Sequence, residues 1–487
     1  MSVFVSSSTR RIERITLTAS LAVALIVTAA TSHALPQQPP EGRPAIRGIN
    51  AALAGIGNRV PAFGGMYGDF EKDVLYVYMV PGKPGDLAGV DKAIGDIFGA
   101  NRPSEHNLQI VEGRYTFLQL NEWDAKLLQH VLKIPGVVVT GIDHAKNRMR
   151  VGVKTSAAAP DVQAELVALG IPLEAVAIEE MSPRLENPAP AQEPDVFSNQ
   201  SVQSCFGGLG RFAGLTGIQC FNRPLVGGLQ VQANWPNQFE TCTNSFIATR
   251  GKTLGFVTCS HCGKDGFGGS GTVFGQPLES DLSLDVFRIG LETVNPPLVN
   301  PLTCDTQTCP EDDECRCSDT LFGQLNPLSG LLSSQGYVAQ PADMQVAWNG
   351  TDYYTIASQA ANGTNLMVGA LVTMVGRTSG RQSGKITQVC QNINLAEGGI
   401  LLCQYQADYT SASGDSGAPV FTCLDSNGNP VACTAQTATA NVQLVGVHEG
   451  VYETNDPVNG PYFGPIWLVQ GANDLGALKV CVPGKGC

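Results

Sequence analysis

A serine set between glycines, Gly414-Asp415-Ser416-Gly417, followed at once by the apolar run Ala418-Pro419-Val420-Phe421, is the stretch of this chain best suited to covalent chemistry. A serine hydroxyl is a weak nucleophile at its own pKa and needs a neighbouring base and donors for the oxyanion it creates. The glycines let the backbone turn tightly, so that the N–H groups of Gly414 and Ser416 can converge on one point as an oxyanion hole. The base must come from elsewhere, and the half of the chain that carries this loop holds two histidines, His261 and His448. A carboxylate must then orient the base. A Gly/Ser/Asp cluster also makes an ordinary surface turn, so the loop signifies chemistry only if base and acid converge on it.

Gly414 to Pro419 resembles the nucleophile loop of chymotrypsin-like serine proteases, with Ala418 where a second glycine is usual. Gly255-Phe-Val-Thr-Cys-Ser-His-Cys262, with Cys242-Thr-Asn-Ser-Phe-Ile-Ala-Thr-Arg250 upstream, is similar to the opening strands of α-lytic protease and its bacterial relatives. The resemblance implies that His261 is the general base and that Cys242 bridges to Cys262. A zinc reading of Cys-x-His-Cys lacks a second cluster at finger spacing. The family runs His, Asp, Ser along the chain, which implies an acid between His261 and Ser416. Asp319, after Cys315-Arg-Cys-Ser, is favoured over Asp281 and Asp285, which read equally as solvated edge-strand carboxylates. Val375 to Thr387 resembles the family stretch whose arginine pairs with the aspartate before the nucleophile, implying that Arg377 pairs with Asp415. Val442 to Gly450 resembles the strand lining the substrate groove, with His448 and Glu449 as departures. Thr410, His448 and Gly450 are then the expected substrate pocket. An uncharged Thr410 floor disfavours Arg or Lys, and His448 would favour acidic side chains if it points inward.

The elements that must position these residues belong to a chain of 487 residues, too long for one compact domain. Hydrophobic residues make up 43% and charged residues 15%, and 30 basic against 43 acidic residues leave a net charge of −13. That balance argues against nucleic acid or an anionic membrane as partner. Arg10, Arg11 and Arg14, the apolar run Ile15 to Ala30 and the small-x-small Ser32-His33-Ala34 read as a secretory signal peptide (1–34), followed by a Pro-rich segment (35–44).

Residues 45–182 carry no cysteine and alternate strand and helix signals. Strands are expected at 74–80, 108–117 and 175–180, a hairpin at 137–153, and helices at 86–98, over Leu120, Trp123, Leu127 and Val131, and at 161–169. His106, His130 and His144 lack metal-like spacing and read as surface or capping residues. Prolines at 183, 188, 190 and 194 mark a linker over 183–195. A folded segment in this position resembles the pro-region of the α-lytic group, an intramolecular inhibitor or folding aid. A permanent binding domain is the alternative.

All 15 cysteines lie in 196–487, the pattern of a disulfide-stapled secreted domain. Neighbour pairs Cys205–Cys220, Cys390–Cys403, Cys423–Cys433 and Cys481–Cys487 are expected, with two nested bridges among Cys304, Cys309, Cys315 and Cys317. Cys259 is left as a small buried hydrophobe. The fold class expected is mainly β: two antiparallel six-stranded β-barrels preceded by a small α+β domain. The function expected is that of a secreted monomeric serine endopeptidase acting on polypeptides, with no cofactor, no metal, no nucleic acid and no membrane after signal cleavage. A silent binding protein on a protease scaffold and an esterase are the rivals.

Overall fold

The computed structural model describes residues 48–98, 107–185, 189–190, 217–235, 238–277, 287–331, 333–342, 346–360, 366–396, 398–433, 441–454 and 460–487. The signal peptide, the Pro-rich segment, His106, Asp281, Asp285 and Cys205 lie outside them. Among the described residues no helix is long and apolar enough to cross a membrane.

The N-terminal part is α+β. Helix α1 (Ile49–Arg59) leads to the antiparallel strands β1 (Phe63–Asp69) and β2 (Val74–Met79). After α2 (Leu87–Phe98), β3 (Asn107–Glu112) joins β2 in parallel. Helix α3 (Phe117–Lys126) starts where Thr116 Oγ1 accepts the Gln119 N–H at 3.3 Å, an N-cap that supplies one orphan donor with its acceptor. Strands β4 (Val137–Asp143) and β5 (Arg148–Val153) form the expected hairpin. Helix α4 (Ala159–Ala168) and β6 (Val176–Leu185) follow, β6 running parallel to β5. The apolar spacing read for α2 and α3 is what packs: Val90, Ile94, Phe98, Leu120, Trp123 and Leu127 are buried in one core.

His144 corrects the sequence reading. It is buried in the hairpin turn against the Phe117 ring, and burial pushes its imidazole down to about 3. The expected linker is also shorter than read, since β6 continues through Pro183 to Leu185 and β7 (Ala189–Pro190) is again strand.

The remainder is antiparallel β. Strands β8 (Gln230–Trp235) and β9 (Gln238–Thr243) pair. The chain then bends at 244–246 into β10 (Ile247–Arg250), which pairs instead with β11 (Thr253–Cys259). Strand β12 (Val273–Gly275) pairs β8 and β13 (Arg288–Val294), and β14 (Thr320–Leu325) pairs β13 and β11. With β9 and β10 as one bent strand, these pairings run β10–β11–β14–β13–β12–β8–β9 around to the bend.

A second ring is formed by β15 (Leu371–Gly376), β16 (Gly380–Asn394), β17 (Ile400–Ala407), β18 (Pro419–Leu424), β19 (Asn441–Thr454) and β20 (Gly460–Pro465). Its pairings run β15–β16–β17–β20–β19–β18 and back to β15. These are the two six-stranded barrels expected.

The N-terminal part docks onto both. Strand β4 pairs β16 at Val139↔Ile393 and Thr140↔Asn392, and β6 pairs β19 antiparallel from Met181↔Thr454 to Leu185↔Gly450. Four residues further along, Ala189 of β7 pairs with Thr241 of β9 in the first barrel. Six disulfides are formed among the described residues: Cys242–Cys262, Cys304–Cys317, Cys309–Cys315, Cys390–Cys403, Cys423–Cys433 and Cys481–Cys487. The four central cysteines nest as expected, and so dense a set belongs to an oxidising compartment.

Candidate active site

His261 sits in the single turn Ser260–Cys262 that ends β11, and the Cys242–Cys262 bridge ties this turn to β9. Asp319 immediately precedes β14. The β11–β14 register sets Cys259 opposite Thr320, so the residues just beyond, His261 and Asp319, meet at the barrel end. Asp319 is fully buried. One carboxylate oxygen accepts the His261 backbone N–H at 3.1 Å and the other takes His261 Nδ1 in a short contact.

Ser416 comes from the second barrel, in the loop before β18. Its carbonyl accepts the Thr243 N–H at 2.8 Å, and Thr243 Oγ1 donates to the Gly414 carbonyl at 2.9 Å, so the first barrel holds the loop in place. Gly417 has φ +85°, and a Cβ there would lie 2.2 Å from Thr258 Oγ1, so glycine is required for the close approach of the two barrels. The result is a 2.9 Å contact between His261 Nε2 and Ser416 Oγ. The three side chains named from sequence are brought together.

The supporting residues divide. Gly414 is buried at φ +95°, and among the described residues its N–H donates to nothing. The Asp415 carboxylate accepts the backbone N–H groups of Thr378, Ser379 and Ala412 at 2.8, 3.1 and 2.9 Å, which braces the loop before the nucleophile. The described hydrogen bonds from the Arg377 guanidinium go to Gln230 and Thr378, at 2.8 and 3.3 Å, and the Asp415 charge acts on it as well. Burial lowers the Arg377 pKa and Asp415 opposes that shift.

Of the expected pocket, Thr410 is exposed, and the buried side chain of that turn is Tyr409. Its hydroxyl lies 3.1 Å from Nδ1 of His448, which is fully buried. Gly450 is paired with Leu185 of β6.

Three charged residues lie beneath the site, of which the sequence had singled out Glu449 alone, as a departure in the groove strand. Arg316 is fully buried and donates to Ser260 Oγ, Asn295 Oδ1, the Pro296 and Thr320 carbonyls, and Asp474 Oδ1, between 2.5 and 3.1 Å. It therefore ties down the chain on both sides of His261 and Asp319. Asp474 also accepts from Ser318 Oγ at 2.8 Å. Glu449 accepts the Asp319 N–H at 2.8 Å. Among the described residues two groups bring three donor atoms within 4.8 Å of one another: Cys259, His261 and Asp319, and Asp305 with Cys390 and Cys403, the last two joined in a disulfide. In the first group the thiol donates to the His448 carbonyl at 3.1 Å and the other two side chains meet each other.

No protein-family model and no curated protein matches the chain. Solved structures do. Thermobifida fusca Protease A is 18% identical, with 53% of this chain and 98% of that one covered at a TM-score of 0.33. A glutamic acid specific serine protease described as using a histidine triad in substrate binding is 18% identical, covering 53% and 100% at 0.34. Alpha-lytic protease homolog N4 is 17% identical, covering 52% and 98% at 0.34. The matched structures are chymotrypsin-like bacterial serine proteases covering about half of this chain.

Proposed function

We propose that this chain is a secreted serine endopeptidase made with its own N-terminal inhibitor. The observation that carries the reading is the convergence of His261 Nε2 on Ser416 Oγ at 2.9 Å while Nδ1 meets the buried Asp319. His261 takes the Ser416 proton as Oγ attacks a scissile carbonyl, the carbonyl oxygen becomes an oxyanion held by the Gly414 and Ser416 N–H groups, and His261 returns the proton to the leaving amine. Water then attacks the acyl-enzyme by the same route in reverse. Asp319 keeps the imidazole in the tautomer with Nδ1 protonated and stabilises the imidazolium.

The inhibitor role rests on where the N-terminal part is bound. Strand β6 adds to the edge of β19 at Gly450 and β7 adds to β9 at Thr241. These strands flank the site from the two barrels. Added strands supply main-chain hydrogen bonds of the kind an extended peptide substrate would make. A permanently silent binding protein would share this arrangement, and an esterase would share the triad.

Two measurements test the reading. A fluorophosphonate should label Ser416 stoichiometrically once the N-terminal part is removed, and casein should be cleaved as well as a simple ester. Labelling without casein cleavage would leave an esterase, and no labelling would leave a binding protein. Sequencing the secreted form should give a new N-terminus between Leu185 and Ala189, and Ser416→Ala should retain the N-terminal part. Among the pocket residues only His448 can offer a positive charge, so substrates with Glu at the cleaved bond should be preferred to matched Lys substrates. Faster cleavage after Lys would remove that assignment.

A further inference from the structure

We propose that Glu449 is a positioning residue of the triad: its carboxyl grips the Asp319 backbone N–H so that the Asp319 carboxylate stays aimed at His261. The inference rests on the proposed peptidase reading and concerns a residue that the triad scheme leaves unused.

Glu449 follows His448 on β19, and the His448 carbonyl accepts the Gly417 N–H at 2.9 Å. One strand thus touches the nucleophile loop with one residue and the acid with the next. Glu449 is fully buried. Its Oε1 accepts the Asp319 N–H at 2.8 Å, while Oε2 is buried and has no hydrogen-bond partner among the described residues. Asp319 is therefore fixed at both ends, its N–H by Glu449 and its carboxylate by the His261 N–H and ring.

A buried carboxylate with one bare oxygen is costly, and a carboxylic acid in the same place is much less so. The surroundings act in the same direction. Asp319 and Asp474 are negative neighbours, and the neighbouring cation among the described residues, Arg316, is already paired to Asp474 at 3.0 Å with both side chains fully buried. Burial first, and the Asp319 charge second, push the Glu449 carboxyl well above its usual range, against the opposing pull of the Asp319 N–H and Arg316. With Glu449 neutral, a single carboxylate faces the imidazole. The partner strand makes room for this group: Gly464 of β20 carries no side chain where a Cβ would lie 2.2 Å from Glu449 Oε1.

The test uses the full chain after its own processing and reads kcat, KM and the acid limb of kcat/KM against pH. Glu449→Ala removes the grip on Asp319, and a small misplacement of a catalytic group costs about 10² in rate. A loss of about 10- to 100-fold in kcat with KM nearly unchanged is expected, the pattern of an interaction used in the transition state. Glu449→Gln, a neutral isostere that still accepts the N–H, should recover most of that loss and leave the acid limb in place. A merely structural residue would alter yield or melting temperature but not this kcat-against-KM split.

Wild-type kcat in Glu449→Ala overturns the proposal. So does an acid limb that falls by about one unit or more in Glu449→Gln, because that is the signature of a lost negative charge beside His261. If Glu449→Ala is not secreted, Gly464→Ala should reproduce the kcat loss by pushing the carboxyl aside, and wild-type turnover there overturns the idea equally. A wild-type protein that neither reacts with fluorophosphonate nor cleaves casein removes the peptidase reading and this inference together, whereas an active wild type with an unaffected Glu449→Ala removes this inference alone.

Discussion

Asp319→Asn is expected to lower turnover by about 10⁴ while KM barely changes, whereas Asp281→Asn and Asp285→Asn should stay within about twofold of wild type. The magnitude follows from tautomer control. The Asp319 carboxylate accepts both the His261 backbone N–H and the Nδ1 proton, so Nε2 is left as the acceptor that faces Ser416 Oγ at 2.9 Å. An asparagine offers one acceptor and one donor in place of two acceptors. Its amide N–H favours the imidazole with Nδ1 bare and Nε2 protonated, which cannot take the Ser416 proton. Residual activity in Asp319→Asn would come from the oxyanion N–H groups and from substrate binding, which remain. Equal losses in Asp281→Asn or Asp285→Asn, or a loss of only a few-fold in Asp319→Asn, would show that another carboxylate is the acid. Steady-state kinetics on the processed form suffice, with active-site titration to count competent molecules.

The two ends of the triad were legible because each lies in a contiguous stretch whose local chemistry announces it. Ser416 sits between glycines before an apolar strand, and His261 ends a strand beside a cysteine. The acid was only partly legible. What selects Asp319 is the β11–β14 pairing of Cys259 with Thr320, a contact between strands far apart along the chain. Local pattern predicts that strands exist, but not which strand pairs with which.

The burial of Arg316, Glu449 and Asp474 was not legible for a related reason. A single charged residue reads as surface, and only tertiary packing reveals that all three are buried together beneath Asp319. His144 misled in the same way, being polar and in a turn yet packed against Phe117. The proline-marked linker was misread at its start because β6 finds its hydrogen-bond partner on β19, outside the reach of local propensity. Alternation and helical spacing placed β2, α2, the β4–β5 hairpin and α4, since those signals are local, and gave no sign of α1 or β1.

The docked N-terminal part should loosen as pH rises, and Asp124 and Asp305 should carry the effect. Asp305, outside the N-terminal part, accepts the Asn50 and Ala51 N–H groups at 2.8 and 3.1 Å, capping the start of α1. Asp124 of α3 is fully buried. It accepts Gln307 Nε2 at 2.8 Å and the Asn50 side-chain amide at 3.5 Å, and its other oxygen has no partner among the described residues. The remaining neighbours are neutral: Thr306 against Asn121, the Cys390 and Cys403 sulfurs 3.8 and 3.9 Å from Asp305, and the Tyr405 phenol, whose pKa burial and then Asp305 raise. Burial, then the Asp305 charge, push Asp124 up to about 8, and burial pushes Asp305 up to about 6 against the two N–H groups. In water both carboxyls titrate near about 4. Docking therefore takes up protons. It is strongest below about 4, weakens as pH rises, and levels off above about 8, where the docked form is ionised as well.

Each proton taken up corresponds to about a tenfold change in the docking equilibrium per pH unit. The slope should be close to one between pH 6 and 8, where Asp124 alone titrates, and steeper below. Amide exchange on the intact Ser416→Ala chain, corrected for intrinsic rates, measures this as the opening equilibrium of β4 and α1. Asp124→Asn should abolish the slope between pH 6 and 8 and keep the N-terminal part docked at pH 8. An opening equilibrium that is flat over that range in the wild-type interface, or unchanged in slope by Asp124→Asn, would locate the control of docking elsewhere.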